Sequence, residues 1–168
     1  LFPSVAGLDF CLRKASEFRP LSMPRLQSVY IDGAHSDSAD LQQFIQSAPI
    51  RSNTATSLEL AEFASGAFDH PSLLQLFRVF KNVHSLRLDC VSWAMPYGVN
   101  TFRGLLPNLT ALALQYTDPD EPMSEETRRL YVKLLEAFGA QLRCLEVDAV
   151  GRLYTSSSLD EVELENLQ

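Results

Sequence analysis

One histidine and the carboxylates around it are the residues of this chain that could support metal or acid–base chemistry. His35 lies close in sequence to Asp32, Asp37 and Asp40, and imidazole together with carboxylate oxygens can bind a divalent transition metal. These four residues span a predicted strand end and a turn, however, without the spacing of a known metal motif. We therefore interpret them as a solvated loop. None of the three histidines has an obvious orienting partner, so a catalytic triad has no support.

Other patterns that carry chemistry are absent from the sequence. It contains no phosphate-binding glycine-rich loop, no nucleophile elbow and no paired zinc-ligand motifs. The three cysteines, Cys11, Cys90 and Cys144, form an odd set without metal-type spacing, which favours free thiols in a reducing compartment. The sequence therefore predicts no catalytic residue, no bound metal and no cofactor.

Composition and charge narrow the class of protein. The 168 residues are 46% hydrophobic and 21% charged, which is typical of one globular domain, here residues 1–168. The formal charge of −7 argues against a nucleic-acid partner, which would require a basic surface. No apolar run is long enough to span a membrane, and no signal peptide is visible. We expect an intracellular protein, cytoplasmic or nuclear, and, since residue 1 is Leu, a fragment of a longer chain.

A repeated apolar spacing defines the elements that must position the polar residues. Six segments carry an apolar residue, a second one three positions later and a third two positions after that, and a seventh fits near the start. The last two apolar residues of each set point to the same side of a short strand. The segments are Val5-x-x-Leu8-x-Phe10, Leu26-x-x-Val29-x-Ile31, Ala55-x-x-Leu58-x-Leu60, Val83-x-x-Leu86-x-Leu88, Leu109-x-x-Leu112-x-Leu114, Leu142-x-x-Leu145-x-Val147 and Leu159-x-x-Val162-x-Leu164.

The steps between these segments predict a stacked repeat array. The second apolar residues lie at positions 8, 29, 58, 86, 112, 145 and 162, and recurrence at about 20–29 residues is typical of such arrays. The last step, of 17 residues, leaves open whether Leu159–Leu164 belongs to a full repeat or to a hairpin strand. From this spacing Val29, Leu58, Leu86, Leu112 and Leu145 should be buried in one row.

Amphipathic helices are predicted between the strands. The clearest covers Glu125–Phe138, with Ser124 as its N-cap and Gly139 at its end; another has Ser38 as its predicted N-cap. The expected buried stripes have helical periodicity. They are Leu41, Phe44, Ile45 and Ala48; Leu73, Leu76, Phe77 and Phe80; and Leu130, Tyr131, Leu134, Leu135, Ala137 and Phe138.

The chain resembles the leucine-rich repeat family in the segments PNLTALAL, PRLQSVYI, NVHSLRLDC and QLRCLEV. The resemblance implies an α/β solenoid with parallel strands on a concave face and helices on a convex face. The ninth repeat position lacks the family's asparagine, so apolar packing is expected to replace its hydrogen-bond ladder. These irregular repeats are most similar to those of F-box proteins. That similarity implies a substrate receptor of a ubiquitin ligase, whose adaptor would bind a helical module N-terminal to this fragment.

Acidic residues are enriched on the predicted concave face. The third, fifth and seventh positions of seven repeats hold nine acids and one base among 21 residues, against about 2.6 acids expected at random. Closely spaced carboxylates repel one another, and a basic protein segment would relieve that repulsion. The predicted partner-binding residues are Asp32, Glu59, Arg87, Asp89, Gln115, Glu146 and Asp148.

Three other interpretations remain open. The acids could serve only solubility and protection of strand edges. The repeats could belong to the sensor of an immune-type receptor. The chain could instead be an α/β enzyme domain with an unrecognised site, although the strands of a doubly wound sheet are apolar on both faces, unlike these.

Overall fold

Six parallel β-strands form the centre of the structure. The computed structural model of the chain describes residues 6–12, 25–47, 54–63, 70–89, 103–116 and 124–149. The strand order in the sheet follows the order along the chain, and every neighbouring pair is parallel. The strands are β1 (Gly7–Cys11), β2 (Ser28–Asp32), β3 (Ser57–Ala61), β4 (Ser85–Asp89), β5 (Ala111–Tyr116) and β6 (Cys144–Ala149). The chain is therefore an α/β protein with a six-stranded parallel sheet.

The register of the sheet places equivalent repeat positions side by side. Val29, Leu58, Leu86, Leu112 and Leu145 occupy one row across β2–β6. The first four of these side chains are at most 1% exposed, whereas Leu145 is only partly buried. The predicted row is thus confirmed for β2–β5, while Leu145 at its β6 end is less buried than predicted.

A repeated backbone contact fixes this register where the strands begin. The carbonyl of Ala6 accepts hydrogen bonds from the N–H groups of Gln27 and Ser28, at 2.7 and 2.9 Å. The carbonyls that precede β2–β5 accept the same pair of bonds from the next repeat. These acceptors are Gln27, Thr56, His84 and Thr110. Because one carbonyl serves two donors at each step, a shift of register would break both bonds together.

Helices connect the strands and cover the apolar face of the sheet. They are α1 (Ser38–Ser47), α2 (His70–Val79), α3 (Glu125–Phe138) and a 3₁₀ helix at Gly139–Gln141; residues 103–105 are also helical. The buried residues of the helices and strands form one cluster, in which the Phe10 and Phe44 rings lie 5.1 Å apart. None of the helices in the described ranges is long and apolar enough to cross a bilayer.

The predicted helical stripes are buried wherever the structure describes them. All six residues of the α3 stripe are at most 5% exposed, as are the four of the α2 stripe. In the α1 stripe Leu41 and Phe44 are fully buried and Ile45 is partly buried, while Ala48 lies outside the described residues. Ser124 caps α3 as predicted, since its Oγ accepts the Thr127 N–H at 3.1 Å.

An aromatic side chain replaces the asparagine at one ninth repeat position. Phe63 is fully buried, and a Cβ atom on Gly33 would lie only 3.0 Å from its ring. Gly33 also donates its N–H to the Ala61 carbonyl at 2.9 Å. The absence of a side chain at Gly33 therefore lets the Phe63 ring pack directly on the neighbouring turn. Ala34 is half-buried, and the other ninth positions lie outside the described residues.

The two thiols in the described part of the chain are free. Cys11 lies on β1 and Cys144 on β6, at opposite edges of the six-stranded sheet. With strands about 4.8 Å apart, this separation greatly exceeds the reach of a disulfide. Cys90 lies outside the described residues.

The predicted N-cap of α1 was wrong by one residue. The helix begins at Ser38, and Asp37 caps it by accepting the N–H groups of Ala39 and Asp40 at 2.8 and 3.1 Å. The Asp40 carboxylate accepts the Asp37 N–H at 3.2 Å in return, which makes a reciprocal capping box. One oxygen of the Asp37 carboxylate, Oδ1, accepts both amide groups, and the serine hydroxyl at the next position is then not needed as the cap.

Removing this cap should measurably lower stability. We expect Asp37→Ala to reduce the free energy of unfolding by about 1 kcal/mol, because it leaves amide groups of the first turn without an acceptor. The measurement is urea unfolding followed by circular dichroism. The exposed Gln46 of the same helix provides the control, since Gln46→Ala should change stability by less than about 0.5 kcal/mol. Equal losses in the two variants would contradict the capping role.

Candidate functional site

The sheet face opposite the core carries the predicted partner-binding residues. We call this surface the polar face and define it by the third, fifth and seventh repeat positions of β1–β6. The third positions form a row of small residues, Gly7, Ser28, Ser57, Ser85, Ala111 and Cys144. The fifth positions are Asp9, Tyr30, Glu59, Arg87, Ala113 and Glu146. The seventh positions are Cys11, Asp32, Ala61, Asp89, Gln115 and Asp148.

The predicted binding residues all lie on strands that contribute to this face. Asp32, Glu59, Arg87, Asp89 and Gln115 are half-buried, and Glu146 is exposed. The backbone of Asp148 pairs with that of Gln115, while its side chain lies outside the described part of the structure. The register brings these residues onto one surface but separates them into two environments.

In the first environment, across β4–β6, Glu146 has a basic partner. The Arg87 guanidinium extends over Ala113, which lies between β4 and β6 in the register, and its NH2 group lies 3.4 Å from Oε1 of Glu146. Gln115 donates from Nε2 to the same carboxylate oxygen at 3.2 Å. The short side chain of Ala113 leaves room for this contact. Glu146, which the sequence indicated as a partner-binding residue, is therefore already satisfied within the sheet.

The second environment, across β1–β4, concentrates negative charge around an aromatic ring. Tyr30 lies between Asp9 and Glu59 in the register, and Asp32 follows it by two residues on the same face of β2. Asp89 extends the acidic surface on β4. We call these five residues, Asp9, Tyr30, Asp32, Glu59 and Asp89, the tyrosine-centred acidic cluster.

The surroundings of Tyr30 disfavour ionisation of its phenol. Burial raises the pKa of Tyr30 above its ordinary value of 10.0, and the nearby charges of Asp32, Glu59, Asp89 and Glu62 raise it further. Both effects act in the same direction, because low polarity and neighbouring carboxylates each disfavour a phenolate. A positively charged ligand would have the opposite effect. Tyr30 is thus a half-buried ring in a negative field.

Sequence reasoning did not identify Tyr30 as part of the site. The residue occupies a fifth repeat position, as Glu59 and Arg87 do, so the repeat spacing alone could have placed it on the polar face. Tyr30 is uncharged, and a count of charges therefore does not include it.

The aspartates near His35 hold the backbone of their turn. Oδ1 of Asp32 accepts the Ala34 N–H at 2.8 Å, and Asp37 and Asp40 form the α1 capping box. His35 itself is exposed and has a positive φ of 56°, a conformation suited to a tight turn. Within the described ranges no three His, Cys, Asp or Glu side chains gather as a metal site would require.

Comparisons of the chain with protein-family models, with curated proteins and with solved structures found no match. The polar face itself offers the candidate function. Its β4–β6 half pairs Glu146 with Arg87, whereas its β1–β4 half combines carboxylates with an aromatic ring.

Proposed function

We propose that this chain is a protein-binding module of the leucine-rich-repeat type, and that its polar face binds a basic segment of another protein. The tyrosine-centred acidic cluster carries the proposal. The sequential order of parallel strands and their row-by-row register support the repeat architecture. The partner's cationic side chains would lie on β1–β4, beside Tyr30.

The chemistry of the cluster fits arginine and lysine. Carboxylates on one sheet face repel one another, and a cation placed between them converts that repulsion into attraction. A guanidinium or ammonium group can also contact the face of a tyrosine ring. Asp9 and Glu59 lie two strands apart, a separation of about 10 Å. Two cationic side chains two residues apart lie on one face of an extended segment, about 7 Å apart at Cα, and their length allows them to reach both carboxylates.

The distribution of charge favours binding over a purely solubilising role. A solubilising surface requires only that charges be exposed. Here the base Arg87 is engaged with Glu146 on β6, and the acids of β1–β4 surround a half-buried aromatic side chain. A doubly wound enzyme domain would have strands that are apolar on both faces, whereas one face of these strands carries polar and charged residues.

The narrower role in a ubiquitin ligase depends on the resemblance of the irregular repeats to those of F-box proteins. It adds a second partner, an adaptor bound by a segment outside this chain. Co-precipitation of a cullin with the full-length protein tests the role in a ubiquitin ligase. A response of the full-length protein to an immune stimulus tests the receptor alternative. Binding of a basic segment does not depend on either result.

A peptide titration tests the proposed binding directly. We expect an arginine-rich peptide to bind the protein and to lower the pKa of Tyr30, because guanidinium groups keep their charge at alkaline pH and favour the phenolate. The measurement is the ultraviolet absorbance of phenolate against pH, with and without peptide, and Tyr30→Phe identifies the signal of Tyr30. Without peptide Tyr30 should ionise above 10.0.

Two controls make the titration specific. A glutamate-rich peptide of equal length should neither bind nor alter the Tyr30 titration. Glu136→Gln should leave the effect of the arginine-rich peptide intact, since Glu136 is exposed on α3, away from the cluster. Peptide binding with an unchanged pKa of Tyr30 would place the basic segment elsewhere and contradict the proposed site.

A further inference from the structure

Arg87 has an acidic residue on either side of it across the polar face. In the register it lies directly beside Glu59 of β3, one strand spacing of about 4.8 Å away. Glu146 lies two strands away in the other direction, across Ala113, at about 10 Å. The guanidinium nevertheless contacts the farther glutamate, with its NH2 group 3.4 and 3.5 Å from the two carboxylate oxygens of Glu146. Proximity in the sheet therefore does not decide which acid Arg87 contacts.

The β5 and β6 strands favour the farther contact. Gln115 donates from Nε2 to Oε1 of Glu146 at 3.2 Å, and this bond holds the carboxylate in position for Arg87. The small side chain of Ala113 leaves the space above β5 to the guanidinium. Among the residues that the structure describes, no ion pair involves Glu59. Arg87 is thus directed away from the tyrosine-centred acidic cluster, and Glu59 keeps its charge without a basic neighbour in contact.

We propose that Glu146 is a positioning residue for the tyrosine-centred acidic cluster: it holds Arg87 over β5 and β6 and thereby keeps Glu59 available to the basic segment of a partner. This inference rests on the proposed function, because it concerns how that same surface remains accessible to a cation. Without Glu146, the guanidinium turns to Glu59 and takes the place of the partner's basic group. Glu146 therefore affects binding through Arg87 and does not itself contact the partner.

The exposure of the ion pair keeps the two positions of Arg87 close in free energy. The side chains of Arg87 and Glu146 are 38% and 53% exposed, and ion pairs this accessible to water are weak. The loss of one acidic partner is therefore enough to shift the guanidinium to the other. In the second position Arg87 neutralises Glu59 and also repels an incoming cation.

The affinity of an arginine-rich peptide for matched variants tests this role. We expect Glu146→Ala to raise the Kd by about two- to fivefold, the range that one exposed ion pair can supply. Glu136→Ala makes the same change in net charge on the exposed surface of α3 and should alter the Kd much less. Isothermal titration calorimetry at about 0.1 M salt gives the Kd, and urea unfolding verifies the fold of each variant.

A double variant shows whether the effect passes through Arg87. Arg87→Gln/Glu146→Ala removes one base and one acid, so the formal charge stays at −7. We expect it to bind the peptide at least as tightly as the wild type, because no guanidinium remains to occupy Glu59. If Glu146→Ala weakens binding equally with and without Arg87, Glu146 acts on the partner directly and the positioning role is wrong. Equal Kd values for Glu146→Ala and Glu136→Ala would also overturn it.

The titration of Tyr30 in the free protein separates this inference from the proposed function. Glu59 lies between Tyr30 and Arg87 in the register, so a guanidinium that turns to Glu59 comes closer to the phenol. Glu146→Ala should then lower the pKa of Tyr30, because arginine keeps its charge at alkaline pH and favours the phenolate. The double variant should not lower it.

A direct effect of Glu146 on Tyr30 is small, since four strand spacings, about 19 Å, separate them and the screening length is about 10 Å at 0.1 M salt. An unchanged pKa of Tyr30 in Glu146→Ala would overturn the inference, whether or not the peptide binds. A wild type that binds no peptide would instead contradict the proposed function, and the titration would still show whether Glu146 positions Arg87.

Discussion

Leu112→Ala should lower the free energy of unfolding by about 2–5 kcal/mol, the range expected when a leucine in a packed core is truncated. Leu112 is 1% exposed on β5 and lies between Leu86 and Leu145 in the row that crosses the sheet. The strands on both sides prevent the site from collapsing around the missing atoms. Urea unfolding monitored by circular dichroism gives the difference in free energy.

Leu145→Ala is the matched control for that loss. It removes the same atoms from the same row, but from a partly buried side chain on the edge strand β6. We expect a cost of less than about 2 kcal/mol, because less apolar surface returns to water and solvent can fill the space. A loss in Leu145→Ala as large as that in Leu112→Ala would show that burial does not determine the cost of truncation in this row.

The repeat spacing predicted the sheet well because the positions of its apolar residues correspond to the side chains that the sheet buries. A strand with one apolar face requires apolar residues two positions apart. Leu58 and Leu60 on β3 meet that requirement, as do Leu86 and Leu88 on β4, and all four are buried. The helical spacing of apolar residues predicted the buried side chains of α3 in the same way. Helix boundaries are less certain, because Asp37 and Ser38 are adjacent residues that can both cap a helix, and only the hydrogen bonds distinguish them.

The sequence predicted which residues share the polar face, but not which of their side chains contact one another. Alternation along a strand indicates which residues share a face, so the placement of Glu59, Arg87 and Glu146 on one surface followed from the sequence. The contact between Arg87 and Glu146 did not. It skips a strand, and it depends on the length of the arginine side chain and on the small size of Ala113. The negative field at Tyr30 likewise arises from several strands together.

Reversing one charge in the acidic cluster should slow association with a basic partner much more than it affects folding. We expect Glu59→Lys to reduce the association rate of an arginine-rich peptide by about tenfold at low salt, because complementary charge accelerates encounter. Glu59 is half-buried on the polar face and is not part of the core cluster. Stopped-flow fluorescence with a labelled peptide measures the rate, and urea unfolding verifies the fold.

Glu136→Lys separates local from global electrostatics in the same experiment. Glu136 is exposed on α3, away from the strands, and either substitution changes the formal charge by +2, from −7 to −5. If the cluster guides the partner, Glu136→Lys should retain most of the wild-type rate. The difference between the variants should then disappear in about 1 M salt, where the screening length is about 3 Å. Equal slowing by both would mean that net charge alone attracts the peptide, and the polar face would lose its role as the binding site.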